Sequence, residues 1–339
     1  MLTKHFIGPD VFSDLANEWD NLSSQGMTDT PFQTLAYQQA WWQHLQPPEA
    51  TLHTITARHE DGRLAAIGCF YLHNNSLHFN GCVEETDYLD LIARPEDAES
   101  AWTAVLQHLL QPDFPDWHTA EFCNIPAASA TRPALISLAS RLNLAVNEEL
   151  YEVCPIITLP KTFDAYLETL DSKQRREVQR KLRRASGADA RLIVVGAEDH
   201  LAAEVDEFLS LLQRSTFEKR DWLNDGRRAI FHDIAQSALA SGTLQLMFME
   251  VDGQKAAALF NFDYKNRIWV YNSGLDPEAF GGLSLGVVLT AQAIEFAIAH
   301  GRTEFDFLRG NETYKYRFGA QDTQIYRITL KKQLTAVSC

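Results

Sequence analysis

Asp252-Gly-Gln-Lys-Ala-Ala-Ala-Leu-Phe260 is an Asp-Gly turn leading into a strand of small residues, and Asp61-Gly-Arg-Leu-Ala-Ala-Ile-Gly-Cys-Phe70 repeats the arrangement. Asp-Gly marks the tight turn of a hairpin, where positive φ is needed. The likeness continues downstream. Asn75-Ser-Leu-His-Phe-Asn-Gly81 corresponds to Asn266-Arg-Ile-Trp-Val-Tyr-Asn-Ser-Gly274, and an amphipathic helix follows each, at about 97–111 and about 284–300. Two more strands then begin, Thr119-Ala-Glu-Phe-Cys123 and Thr303-Glu-Phe-Asp306. One such match is within chance. Four in the same order make a duplicated α/β unit the better account.

Helices open each copy. Phe12, Leu15, Trp19 and Leu22 recur at helical spacing, with Ala36–Leu45 as a second helix. In the second copy Leu201, Val205, Phe208 and Leu212 mark one helix, and Ile230, Ile234 and Ala238 another. Pro155 and Pro160 punctuate a strand near residues 145–162, where the copies join. The expected domains are 1–150 and 151–332, followed by a tail, 333–339.

At 339 residues the chain is too long for one simple core, and its 45 % apolar content supplies two. The formal net charge of −15 argues against DNA or an anionic membrane surface as the main partner. Cys69, Cys82, Cys123, Cys154 and Cys339 form no CxxC pair, four lie in or beside strand-like stretches, and buried free thiols are expected. The 11 histidines show no metal-ligand spacing, so no metal site is expected. No run approaches the roughly 18 apolar residues of a membrane span, and the N-terminus lacks a signal-peptide core. A cytoplasmic protein without membrane insertion is the expectation.

Residues 301–319 concentrate Asp306, Arg309, Glu312, Tyr314, Lys315 and Arg317 at the end of a short buried strand, Thr303–Leu308. Such groups are costly to desolvate unless something uses them. A surface turn with salt bridges is the simpler reading.

The order of elements matches the GNAT acyltransferase fold. Asp87-Tyr-Leu-Asp-Leu-Ile92, Tyr271-x-Ser273-Gly274-x-Asp276-Pro277, Ser284-x-Gly286 and Glu304-Phe-Asp-Phe-Leu-Arg-Gly-x-Glu-x-Tyr-Lys315 together resemble the FemAB-like, CelD-like acetyltransferase branch of the GNAT superfamily. The resemblance implies an α/β (α+β) tandem GNAT-like fold with two mixed sheets flanked by helices. It also implies an acyl-CoA donor, acetyl-CoA or another, held on backbone N–H groups between a splayed strand and the next helix.

In this chain that place is the loop before the helix beginning at Ser284, giving Ser284, Leu285, Gly286, Val287 and Val288 as donor-binding candidates. Serine suits an N-cap, glycine permits close approach, and the helix dipole favours an anion. A serine-capped helix with glycine for packing is the alternative. The equivalent helix of the first copy starts Pro95-Glu-Asp-Ala-Glu99, whose carboxylates repel phosphate. The first copy therefore reads as a structural or acceptor half, the second as the donor half.

Acyl transfer to an amine needs a base and an electrostatic stabiliser. Asp306 or Glu312 would be the base, with Asp306 favoured because a strand holds it; it could equally hold the Arg309 turn. Lys315 would be the stabiliser, since Tyr314-Lys-Tyr-Arg-Phe-Gly319 is similar to the aromatic-Lys-x-x-Phe-Gly setting of Fem-type transferases. Tyr314 or Tyr316 would protonate the leaving thiolate. Arg309 and Asp87 are candidates for the acceptor.

Residues 173–184 hold seven basic residues and one acid. Arg176 and Arg180 share a face that either is solvated or binds coenzyme A phosphates, a nucleotide-sugar acceptor or RNA. Trp41, Trp42, Trp222 and Trp269 read as core or interface residues. The expected function is N-acyl transfer from acyl-CoA to an amine acceptor, such as an amino sugar or cell-envelope polysaccharide precursor. The alternatives are Fem-like transfer from aminoacyl-tRNA and a non-catalytic binding protein of polysaccharide assembly.

Overall fold

The computed structural model describes residues 1–82 and 85–332. They form two compact units, one from Met1–Glu152 with the segment beginning at Thr323, the other from Val153–Asp322.

In the first unit the strands lie in the order Leu2–Ile7, Thr51–Arg58, Leu64–His73, Ser76–Phe79, Thr119–Pro126 and Gln321–Lys332. Neighbours are antiparallel except Ser76–Phe79 and Thr119–Pro126, which run parallel. Helices Ala98–Leu109 and Thr131–Arg141 pack Trp102, Leu106, Leu135 and Leu138 into a core with Phe70, Phe79 and Phe122.

The second unit repeats the plan with strands Arg191–Val194, Leu244–Val251, Gln254–Tyr264, Arg267–Leu275, Glu304–Asp306 and the end of Leu144–Thr158. Again the single parallel pair joins the strand before the long helix (Arg267–Leu275) to the strand after it (Glu304–Asp306). The repeat extends to the turns, since Asn74–Asn75 and Lys265–Asn266 both have positive φ. Two successive left-handed residues match the right-handed twist of the hairpin strands they join. The long helix, Leu285–Ala299, buries Val288, Leu289, Ile294 and Ala297 against Phe305 and Ile268. The basic segment is helix Ser172–Gly187, capped by the Asp171 carboxylate and seated by Val178 and Ala185.

Several expectations are corrected. Residues 323–332 complete the first unit: Leu330 lies opposite Ala120, and Ile328 and Leu330 are fully buried in its core. Burial of each aliphatic side chain stabilises that arrangement by about 2 kcal/mol. Cys82 and Cys123 are bonded to each other, whereas Cys69 and Cys154 are free and buried. Cys339 lies outside the described residues. Around Asp87 the chain is irregular, with only Ile92–Ala93 in a strand. The first helical stretch is broken into Asp10–Asp14 and Trp19–Ser23. Trp41, Trp42 and Trp269 are buried and Trp222 partly so. No helix among the described residues is long and apolar enough to cross a membrane.

Three histidines meet in the first unit. His5 Nε2 lies 3.0 Å from His53 Nδ1, and the ring of His108 stands edge-on to that of His5. Phe114 covers both His5 and His53. Burial, then the neighbouring His5, hold His53 down to about 4. His5 and His108 are also lowered, chiefly by burial, with Asp113 pulling both the other way. The unfolded chain protonates these rings near pH 6.5 and the folded chain resists, so stability falls as pH drops from about 6.5 towards 4. His53 alone should cost about 2 kcal/mol at pH 5. Melting at pH 7 and pH 5 should show a marked acid loss that His53→Gln reduces; equal pH slopes in both proteins would refute the assignment.

Candidate active site

Strands Arg267–Leu275 and Glu304–Asp306 pair from Arg267↔Glu304 to Trp269↔Asp306 and then part. Both sides contribute to the parting. On one side, the register against Gln254–Tyr264 shifts between Asn261↔Val270 and Phe260↔Asn272, so Tyr271 bulges. On the other, Leu308 takes a left-handed conformation, with φ of 58°. That geometry costs a leucine about 1–2 kcal/mol and persists only if its surroundings enforce it.

Asp306 and Lys315 are those surroundings. Asp306 Oδ1 accepts the Leu308 N–H at 2.8 Å, and its Oδ2 lies 3.5 Å from Arg267, which also pairs with Glu304. Lys315 Nζ donates to the carbonyls of Leu308, Arg309 and Gly310 at 3.2, 2.6 and 3.0 Å, and lies 2.9 Å from Glu312 Oε2. Three N–H donors thus meet three carbonyls in succession. Gly310 suits this turn because its φ is 106°, a conformation that L side chains rarely adopt. Asp306 is 0 % and Lys315 2 % exposed, and both are engaged by the turn they flank.

A cavity of about 440 Å³ occupies the gap between the parted strands. Val270, Ser273 and Leu275 line one wall, and Phe307, Tyr314 and Phe318 the other. Ser284, Leu285, Gly286 and Val287 close the end nearest the long helix, while Val288 points into the core. The preceding loop is anchored by Asp276, whose Oδ1 accepts the N–H groups of Glu278 and Ala279 and whose Oδ2 meets Arg214 at 2.9 Å. Ser284 does not cap as expected: its φ is 57° and its side chain makes no cap hydrogen bond. The N–H groups of Val287 and Val288 donate to the Ser284 carbonyl, so those of Leu285 and Gly286 are what this helix start offers an anion. Gly286 leaves open space, its nearest neighbour for an added Cβ being Leu275 at 3.9 Å.

A second cavity, about 490 Å³, shares Val287, Tyr314 and Phe318 with the first. Lys173, Arg176, Arg180 and Lys181 of the basic helix line it, together with Arg317. Arg176 Nε donates to the Ser172 carbonyl, and Arg180 grips Glu177. The structure therefore brings Ser284–Val287, Tyr314, Arg176 and Arg180 together. Asp306, Glu312, Lys315 and Arg309 line neither cavity.

One residue at this site escaped the sequence reading. Lys219, on the short helix Phe217–Trp222, donates to the Ser273 carbonyl at 2.6 Å and to Asn272 Oδ1 at 3.1 Å. Its Nζ also lies 3.4 Å from Ser273 Oγ. Burial lowers its ammonium to about 8, against an upward pull from Glu312. The helix is capped by Thr216, a signal that locates the helix in sequence but not its partner strand.

The first unit closes the equivalent gap with its own chain. Leu89 N–H donates to the Asn124 carbonyl, and the Asn124 amide to the Thr86 carbonyl. Asp87 is buried in this segment. Asp90 is held by the hydroxyls of Thr28, Ser129 and Thr131 and by the Leu91 N–H, while burial raises its carboxyl.

The clamp makes a stability prediction. Lys315→Met leaves three carbonyls and Glu312 without their cation and should destabilise the fold by about 3 kcal/mol; Asp306→Asn should cost about 1–3 kcal/mol. Thermal melting of both variants checks this. Wild-type melting temperatures combined with a large loss of turnover would return both residues to the chemistry.

Residues 172–316 match the acetyltransferase (GNAT) domain family. No curated protein matches the sequence. Among solved structures, that of FemX aligns with a TM-score of 0.66 at 10 % identity, covering 96 % of this chain and 97 % of its own. The C-terminal domain of a putative lysylphosphatidylglycerol synthetase from Agrobacterium fabrum aligns at 0.53 and 12 % identity, covering 83 % and 84 %. A tandem GNAT protein from the clavulanic acid biosynthesis pathway aligns at 0.50 and 13 % identity, covering 98 % and 100 %. These likenesses support a duplicated GNAT-like fold. With a GNAT acetyltransferase domain at residues 172–316, the chain is an acyltransferase enzyme.

Proposed function

We propose that the second unit binds an acyl-coenzyme A and transfers its acyl group, most simply acetyl, to an amine acceptor such as an amino sugar or cell-envelope polysaccharide precursor. The carrying observation is the junction of an apolar cavity and a basic one at Val287, Tyr314 and Phe318. Coenzyme A has that same division, an uncharged pantetheine arm and a polyanionic nucleotide. The arm fits between the parted strands, with the thioester near Val270 and Ser273. The pyrophosphate then meets the uncapped start of the long helix, and the remaining phosphate faces Lys173, Arg176 and Arg180.

The basic helix also favours a second reading, in which the donor is an aminoacyl-tRNA whose phosphates lie along Arg176 and Arg180. The fold shared with FemX supports that reading only as far as the fold.

Calorimetric titration separates the two. Coenzyme A should bind the wild type, and Gly286→Glu should weaken it at least tenfold by filling the gap and adding a negative charge beside the phosphates. Equal affinity in the variant would remove this helix start from the donor site. Binding of tRNA but not of coenzyme A would establish the second reading.

A further inference from the structure

Resting on the acyl-coenzyme A reading, we propose that the Ser273 hydroxyl relays the reacting proton in the donor cavity and that Lys219, acting through it, is the positioning residue that receives that proton. Ser273 lines the cavity at the strand that parts from Glu304–Asp306. Lys219 is the amine behind it, 3.4 Å from the hydroxyl oxygen.

The alternatives in the same region are engaged elsewhere. Asp306 accepts from Leu308 and meets Arg267, Lys315 serves three carbonyls, and Glu312 sits against Lys315. None of the three lines the cavity. Lys219 differs in having a neutral form that its neighbours satisfy. With two protons, Nζ donates to the Ser273 carbonyl and Asn272 Oδ1, and its lone pair is left to accept from Ser273 Oγ. Burial brings its ammonium to about 8, so that form is well populated at mildly alkaline pH. Glu312 is the charged group that opposes this, while Glu218, Arg220 and Asp221 of its own helix are exposed to solvent.

The step balances without a further reactant. The acceptor amine nitrogen attacks the thioester carbonyl carbon and forms the C–N bond. Its proton passes to Ser273 Oγ as the hydroxyl proton moves to Lys219 Nζ. The C–S bond breaks, and the sulfur leaves with the pair of electrons. The proton returns from Lys219 through Ser273 to the thiolate, giving amide, free thiol and the starting enzyme. A hydroxyl backed by a buried lysine is a known device for moving protons in acyl transfer.

The test uses acetyl-coenzyme A with hydroxylamine as a surrogate acceptor, which is unprotonated at neutral pH, and follows thiol release from pH 6 to 9.5. The wild type should show a rate limb near pH 8. Lys219→Arg keeps the charge and donors but cannot give up its proton, so the limb should vanish and the rate should fall about a hundredfold. Ser273→Ala should cause a similar fall, with coenzyme A affinity kept within about threefold in both variants. A merely structural lysine would be rescued by arginine, and an unchanged limb in Lys219→Arg would overturn the proposal while leaving the donor assignment standing. So would wild-type rates in Ser273→Ala. Failure of the wild type to bind coenzyme A would instead overturn the donor assignment, and this proposal with it.

Discussion

A single buried ammonium governs the geometry of the second unit. Lys315 gathers the carbonyls of Leu308, Arg309 and Gly310, and without it the left-handed Leu308 would have little reason to persist. The turn directs the chain away from the strand it has just paired with. The apolar cavity follows from that departure: a gap between strands, Phe307 and Phe318 as a wall, and Tyr314 at the junction with the basic face. The desolvation cost of a buried cation is offset by donor geometry that leaves none of its protons idle. The shape of the cavity depends on a charge that does not line it.

The two copies show how one plan gives different outcomes. Both keep the single parallel pair and the left-handed hairpin turns. Where the second copy leaves space, the first inserts residues 85–91 and ties them to Asn124. In the parallel pair of the first copy Glu121 stands opposite His78, where the second copy has Asp306 opposite Trp269, and Cys123 just beyond it is bonded to Cys82. The segment that is tied down in the first copy lies where the second copy keeps its apolar cavity.

Much of this was legible in the sequence. Period and turn chemistry are local, and they located the hairpins, the long helices and the duplication. The helix start at Ser284–Val287 and the basic face carrying Arg176 and Arg180 were also legible, because both are local features. Partnerships were not. Ser273 and Lys219 are far apart in sequence, and no pattern shows that a lysine on a short helix will meet a bulged strand. Asp306 and Lys315 drew attention as a cluster of polar groups, yet composition cannot say whether such groups turn inward to hold a backbone or outward to meet a ligand. The place of Gln321–Lys332 beside Thr119–Pro126 depends on topology alone, which no local pattern in the sequence carries.

That last strand bears on how the protein is made. Thr119–Pro126 acquires its neighbour only when residues near the far end of the chain exist. At ordinary synthesis rates the delay is roughly ten to forty seconds, during which the ribosome displays an unfinished sheet edge. An open edge of that kind is a template for pairing with another chain. Closing it requires contact between segments far apart in sequence, which makes for slow folding. Residues 1–152 thus encode an incomplete sheet by themselves, whereas the strands of the second unit all come from one continuous segment.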